Sequence, residues 1–331
     1  MTDSIDQSSI YDRNERELSS LGWLFLISVI LHVLTALAQS VLAQKGIGLS
    51  IEMNLIVSEL SMLVPSLIYI LAGNLNFRED LGFRPIKAGT FFMCILLAVL
   101  VTPVASFVNA LSQLFVDNTM LRMSDSLLEG SNLAVMLLGA LYGPICEEFV
   151  FRGVFNNRYG VYTGPLRAAF ISALFFGLAH MNVNQAAYTF VLGFILALIN
   201  DAAGSIYPSM IIHACINGAN LSFLFASAAA SRALGNGADF AAEAASAINK
   251  DILYVLIGVT LAAAIVCGAL AIPCVIWIGE HEMGHDRLRR ILCAAYEKKR
   301  WLTFPCVIAI LFILFIMFGL NPVLSLVKNQ V

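Results

Sequence analysis

Long apolar runs separated by short polar stretches fill the chain from Leu21 onward. A helix needs roughly 20 apolar residues to cross the hydrocarbon core of a bilayer. The runs that reach or approach this length predict nine helices: Leu21–Leu42, Leu55–Leu71, Thr90–Phe115, Leu133–Phe155, Leu166–His180, Ala186–Asn200, Tyr207–Phe225, Ile252–Ile278 and Trp301–Leu320. The fifth and sixth are short, so either is tilted, broken or continued into a loop. Breakers support the division. Gly164-Pro165 parts the fourth run from the fifth, and Asp201–Ser205 parts the sixth from the seventh. Pro208 falls in the first turn of the seventh, where its missing N–H is tolerated. Ala226–Lys250 is rich in alanine and carries Gly235, Asn236 and Gly237, so it reads as an exposed, partly helical loop. The first 20 residues are polar and more acidic than basic, unlike a secretory leader. Ala36 and Ala38 form an Ala-x-Ala sequence, yet the apolar run before it is too long for a leader, and a retained helix is expected. The fold class is all-α, a polytopic integral membrane bundle of about nine transmembrane helices.

Composition agrees with the pattern. Of 331 residues, 59% are hydrophobic and only 12% charged, with a mean hydropathy of +0.83. Soluble domains carry roughly 25% charged residues, so this chain cannot cover its exterior against water, and lipid is its main solvent. The net charge of −3 suggests no nucleic-acid partner. The cysteines, Cys94, Cys146, Cys215, Cys267, Cys274, Cys293 and Cys306, lie almost all in apolar runs and form no CxxC pair. They read as small buried hydrophobes. If the N-terminus is cytoplasmic, 14 of the 19 Lys and Arg residues fall on the inner side and 5 on the outer. By the positive-inside rule that bias predicts a cytoplasmic N-terminus and an external C-terminus.

Ionisable groups at membrane depth are costly and are usually functional or tightly paired. The sites that stand out are Glu59, the Glu147-Glu148 pair with Arg152, His180 and His213, with His32 a weaker case. Glu148 and Arg152 are four residues apart and share a helix face, so they can form an ion pair. Glu147 is turned about 100° from Glu148. Its carboxylate thus faces another part of the bundle, and in a low-dielectric site it can serve as a general base. Alternatively, both acids lie at the headgroup boundary and are merely solvated. Phe176 and His180 are again four apart, so the ring can pack beneath the imidazole. His213 and Asn217 share a face and offer an imidazole and an amide to one point. Singly, each histidine is a hydrogen-bonded helix contact as readily as a catalytic group.

Together these residues form three ordered motifs: Glu147-Glu148-x-x-x-Arg152, Phe176-x-x-x-His180 and His213-x-x-x-Asn217. They resemble the motifs of the CPBP (CAAX prenyl protease and bacteriocin-processing, Abi-like) intramembrane endopeptidases. Leu81-Gly82-Phe83-Arg84-Pro85 resembles a feature common in bacterial members. The resemblance covers roughly residues 80–225. It implies a catalytic core there, preceded by a tail and two helices over 1–79 and followed by a loop and two helices over 226–331. It also implies that Glu147 and His180 activate the attacking water and that His213 and Asn217 stabilise the oxyanion, with Glu148, Arg152 and Phe176 in support. No metal cofactor is expected, because an amide beside His213 suits oxyanion donation better than zinc ligation. The alternative is Zn2+ held through Glu147, His180 and His213. The expected partners are the lipid bilayer and a peptide or protein substrate, lipidated or not, in a bacterial inner membrane. A non-catalytic scaffold or immunity protein of the same fold is a second reading. A proton-coupled transporter is a third, weakened by the lack of an obvious internal repeat.

Two features resist this picture. Counting about 1.5 Å per residue, His180 lies deeper from the cytoplasmic side than Glu147 or His213, unless the fourth helix continues to Asn157 or beyond. The part beyond Ile252 has no assigned role. His281-Glu282-Met283-Gly284-His285 also matches HExxH, the zinc-protease signature. Its polar flanks, Glu280, Asp286 and Arg287, argue for a chance match in a wet, basic loop.

Overall fold

The structure, a computed structural model, describes residues 7–233, 249–284 and 301–320. Ten helices account for nearly all of them. They are α1 (Gln7–Gln44), α2 (Ile51–Ala72), α3 (Ala88–Ser112), α4 (Thr119–Glu129), α5 (Asn132–Thr163), α6 (Pro165–Ala179), α7 (Val183–Ala203), α8 (Tyr207–Ala233), α9 (Lys250–Met283) and α10 (Phe304–Gly319). Each predicted apolar run falls on one of these helices. Seven are long and apolar enough to cross a membrane by length and composition. The other two runs, α6 and α10, are shorter apolar helices. The fold is therefore a polytopic all-helical bundle, with seven full-length spans where nine were expected.

Several boundaries move. The first helix begins at Gln7, before Leu21, and α7 lengthens to 21 residues. α9 continues past Ile278 to Met283, so His281 and Glu282 lie on a helix where a loop was expected. The fourth run continues past Phe155 to Thr163, closed by Gly164 and the Pro165 that opens α6. The seventh continues past Phe225 to Ala233, so the first part of the expected loop is helix, while 234–248 lie outside the described residues. The short helix α4 went unforeseen, because its mixed polar sequence has no spanning run. Asn118 caps it by accepting from the Leu121 N–H at 3.2 Å, and its Leu127 is buried with Val135 and Leu221.

Burial separates the bundle into two packed groups. One joins α1, α2, α5, α6 and α10 around Leu21, Phe25, Phe155, Phe175 and Ile313, with Phe25 and Phe175 stacked at 3.8 Å between ring centroids. The other joins α3, α7, α8 and α9 around Leu97, Leu196, Ile199, Ile212 and Ile278. The outer face of α9 carries exposed Val255, Val259, Val266 and Leu270, a surface suited to lipid.

The Leu81–Pro85 segment ties these groups at one end of α5. Leu81 is fully buried, the Gly82 carbonyl accepts from the Ile206 N–H at 3.0 Å, and Phe83 packs on Phe149 and Tyr207. Gly82 has φ +78°, and a Cβ there would lie 2.8 Å from Asn157 Nδ2. A side chain would be strained and crowded at once. Beside it Asp80 pairs with Arg158 of α5 at 2.9 Å.

Candidate active site

The acidic pair sits on an interrupted helix. Within α5, an α-helical turn over Gly143–Glu148 is flanked by π-helical stretches at Leu138–Tyr142 and Phe149–Asn156. Pro144 has no N–H to continue the regular ladder, which helps account for the first stretch. Such widened turns need outside partners for backbone groups, all the more in lipid. Neighbouring helices supply them. Asn217 Nδ2 on α8 donates to the Gly139 carbonyl at 3.1 Å. Ser172 Oγ on α6 donates to the Phe151 carbonyl at 2.6 Å.

Glu147 and Glu148 face different partners. Glu148 is fully buried, with Oε2 3.2 Å from Arg152 Nε and Oε1 2.9 Å from His213 Nδ1. The Arg152 guanidinium, also fully buried, lies over the Phe176 ring at 4.4 Å. Glu147 keeps a side-chain exposure of 20% and stands between two imidazoles. Its Oε1 is 3.8 Å from His180 Nε2, and its Oε2 is 3.5 Å from His213 Nε2.

The histidine rings are oriented from behind. His180 closes α6, and its Nδ1 lies 2.9 Å from the Phe176 carbonyl, an acceptor, so Nδ1 carries the proton and Nε2 turns to Glu147. His213 Nδ1 donates to the Glu148 carboxylate, so its Nε2 also turns to Glu147. Phe176 braces both rings edge-on, at 5.1 Å from His180 and 5.8 Å from His213. The extension of α5 to Thr163 removes the apparent mismatch in depth between His180 and the other residues. Arg152, counted with the inner-side charges, is buried in this cluster, and the positive-inside bias becomes thirteen against five.

Asn217 is the expected site residue drawn in another direction. It lies one turn from His213, but one amide N–H is committed to the Gly139 carbonyl. A carboxamide carries two such donors, so one remains.

Several neighbours had escaped notice or assignment. Glu59 of α2 approaches Gly143, its Oε1 3.6 Å from where a Cβ would stand, and is within electrostatic reach of Glu147. His32 of α1, whose Nδ1–H donates to Ser61 Oγ at 2.7 Å, is within such reach of His180. Tyr188 of α7 is within reach of Glu147. Gly193 of α7 lies against the buried pair: a Cβ there would stand 2.8 Å from Arg152 Nη2 and 2.9 Å from Phe176 Cδ1. An isolated glycine inside an apolar helical run is a recognised mark of close approach, and it was the available signal.

Among the described residues, no three His, Cys, Asp or Glu side chains are grouped to hold a metal ion. In the cluster, each histidine's other ring nitrogen is already bound, and each faces a different oxygen of Glu147.

The rival HExxH segment is doing structural work. Glu282 Oε1 accepts from the Lys87 N–H at 2.8 Å and from the Thr90 hydroxyl, which caps the N-terminus of α3 from outside. Lys87 Nζ donates to the His281 carbonyl, and the His281 ring stacks on Trp277 at 4.4 Å. His285, the second histidine of the motif, lies outside the described residues.

Comparison with known proteins adds one match. Residues 129–219 match the family model described as type II CAAX prenyl endopeptidase Rce1-like. That span contains all three motifs, from Glu147 to Asn217. No curated protein and no solved structure matches the chain.

Proposed function

We propose that this chain is an intramembrane endopeptidase of the CAAX (CPBP) type, as the family match over residues 129–219 supports, and that Glu147 and His180 activate the water that cleaves its substrates. One observation carries this proposal: a single carboxylate stands between two imidazoles whose far nitrogens are already anchored. Atoms 3.8 Å apart, such as Glu147 Oε1 and His180 Nε2, can both hydrogen-bond one water at about 2.8 Å. In the first step that water gives a proton to Glu147, and its oxygen attacks the scissile carbonyl carbon. The second N–H of Asn217 supports the oxyanion that forms. His213 does so too when its ring carries both protons, since Nδ1–H is committed to Glu148. Collapse breaks the C–N bond, and the proton on Glu147 passes to the leaving amine. Glu148, Arg152 and Phe176 touch no reacting atom; they hold the two rings in place.

The substrates are peptide or protein segments associated with the membrane, lipidated ones included. No step is routed through a metal. A cytoplasmic N-terminus in a bacterial inner membrane is supported by the charge bias; reporters fused at Glu79 and at Ser131 should report the cytoplasmic and the external side respectively, and the reverse arrangement would reject it.

The decisive test is cleavage of candidate peptides by the purified protein in lipid nanodiscs. Glu147→Gln keeps the shape and removes the base, so activity should fall by about 10²–10⁴-fold. An active Glu147→Gln enzyme would reject the mechanism.

A further inference from the structure

Glu59 is a carboxylate that the catalytic scheme does not use. It lies eight residues into α2, about 12 Å along the helix at 1.5 Å per residue. Among the described residues it makes no hydrogen bond or ion pair. Its Oε1 lies 3.6 Å from where a Cβ on Gly143 would stand. Gly143 and Glu147 are four residues apart in the one regular α-helical turn of this region, so they share a face. The Glu59 carboxylate therefore stands one helical turn from Glu147, on the side of α5 that carries the proposed base.

Charge makes this position informative. Three carboxylates, Glu59, Glu147 and Glu148, face one fixed cation, Arg152, and Arg152 Nε is already bound to Glu148. An unpaired carboxylate in a span is expensive and calls for a partner. Attack on a peptide bond adds an oxyanion to the same space. Arg152 is the guanidinium whose charge reaches Glu147 and Glu148. A positive charge brought by the substrate would match both the standing carboxylate and the developing one.

Resting on the endopeptidase reading, we propose that Glu59 is a specificity-determining residue: it binds the side chain of a Lys or Arg that flanks the scissile bond of the substrate. The preferred substrates are then membrane-associated segments with a basic residue beside the cut.

The test uses the full chain in nanodiscs and an N-acetylated peptide series in which each position around the cut is Lys, Arg, norleucine or Glu. The wild type should favour Lys or Arg over norleucine at one flanking position by about 10- to 100-fold in kcat/KM, the scale of a hydrogen bond to a charged group. Glu59→Gln should bring that ratio close to 1, and Glu59→Lys should turn the preference toward Glu. Each variant is judged by a ratio between two peptides, so a smaller fraction of folded enzyme does not imitate the effect. A wild type with no preference for a cation overturns the proposal, as does a preference that survives Glu59→Gln or that requires a free N-terminus. Those outcomes leave the endopeptidase reading standing; failure of the wild type to cut any peptide sinks both.

Discussion

Replacing Gly193 by alanine tests whether the buried support behind the two histidines sets activity. The added methyl would sit 2.8 Å from Arg152 Nη2, 2.9 Å from Phe176 Cδ1 and 3.4 Å from Ala173 Cα. Ordinary carbon contacts lie at about 3.5–4.0 Å, so the neighbours must yield by roughly 0.6–1 Å. Arg152 is the end of a flexible side chain, but it is fully buried, tied to Glu148 and seated on Phe176. Phe176 in turn braces both imidazoles. Overpacking of this kind costs about 1–3 kcal/mol, while alanine in place of glycine within a helix returns about 1 kcal/mol. The net change in stability should be between about 0 and 2 kcal/mol on those figures, and the protein should still insert and fold. Activity should suffer more, because a displacement near 1 Å in a positioned group can cost on the order of 10²-fold. Thermal unfolding in nanodiscs reads the first quantity and kcat/KM on a cleaved peptide reads the second. A Gly193→Ala protein with full activity and unchanged melting would show that the Arg152–Phe176 stack does not position the site.

One further outcome concerns a contact outside the cluster, and another the chemistry of the cluster itself. Glu282→Ala removes the external cap of α3 and should lower stability by about 0.5–2 kcal/mol, the usual worth of a cap, while sparing activity in the folded fraction; loss of turnover without loss of stability would transfer the chemistry to the HExxH segment. Purified active protein should hold no stoichiometric zinc and should keep its activity in a chelator, and activity that is lost on chelation and restored by zinc would overturn the metal-free scheme.

Much of the architecture was legible because lipid imposes a coarse rule: long apolar runs must become helices. The spacing of four residues also brought out the Glu148–Arg152 pair and the packing of Phe176 under His180, since both are local to one helix. What stayed hidden depended on other helices. The bond from His213 to Glu148 spans 65 positions. Glu59 and His32 belong to no motif and reach the site only because α1 and α2 pack against α5. Asn217 looked like a free amide on a helix face. Its bond to Gly139 exists because a π-helical stretch opened a backbone carbonyl toward α8, and a strict 3.6-residue period has no means to foresee such a stretch. The HExxH match read as chance in a wet loop; Glu282 lies instead in the last turn of α9, where the start of α3 rests on it.

The division of labour between the adjacent glutamates follows from this geometry. Glu148 has both oxygens engaged, one by Arg152 and one by His213, with no surface exposed. A proton or a water could reach it only by breaking a buried charge pair, which is strongly unfavourable. Glu147 faces two ring nitrogens at distances longer than a direct hydrogen bond, with part of its surface open. It can exchange a proton without disturbing the framework. In the proposed scheme His213 links the two roles, for its one ring nitrogen is fixed by Glu148 and its other looks toward Glu147. Replacing either glutamate would therefore perturb the same imidazole from opposite sides: loss of Glu148 would free its orientation, whereas loss of Glu147 would leave it oriented with no base to face. Their side-by-side position on a helix is what allows one histidine to serve both.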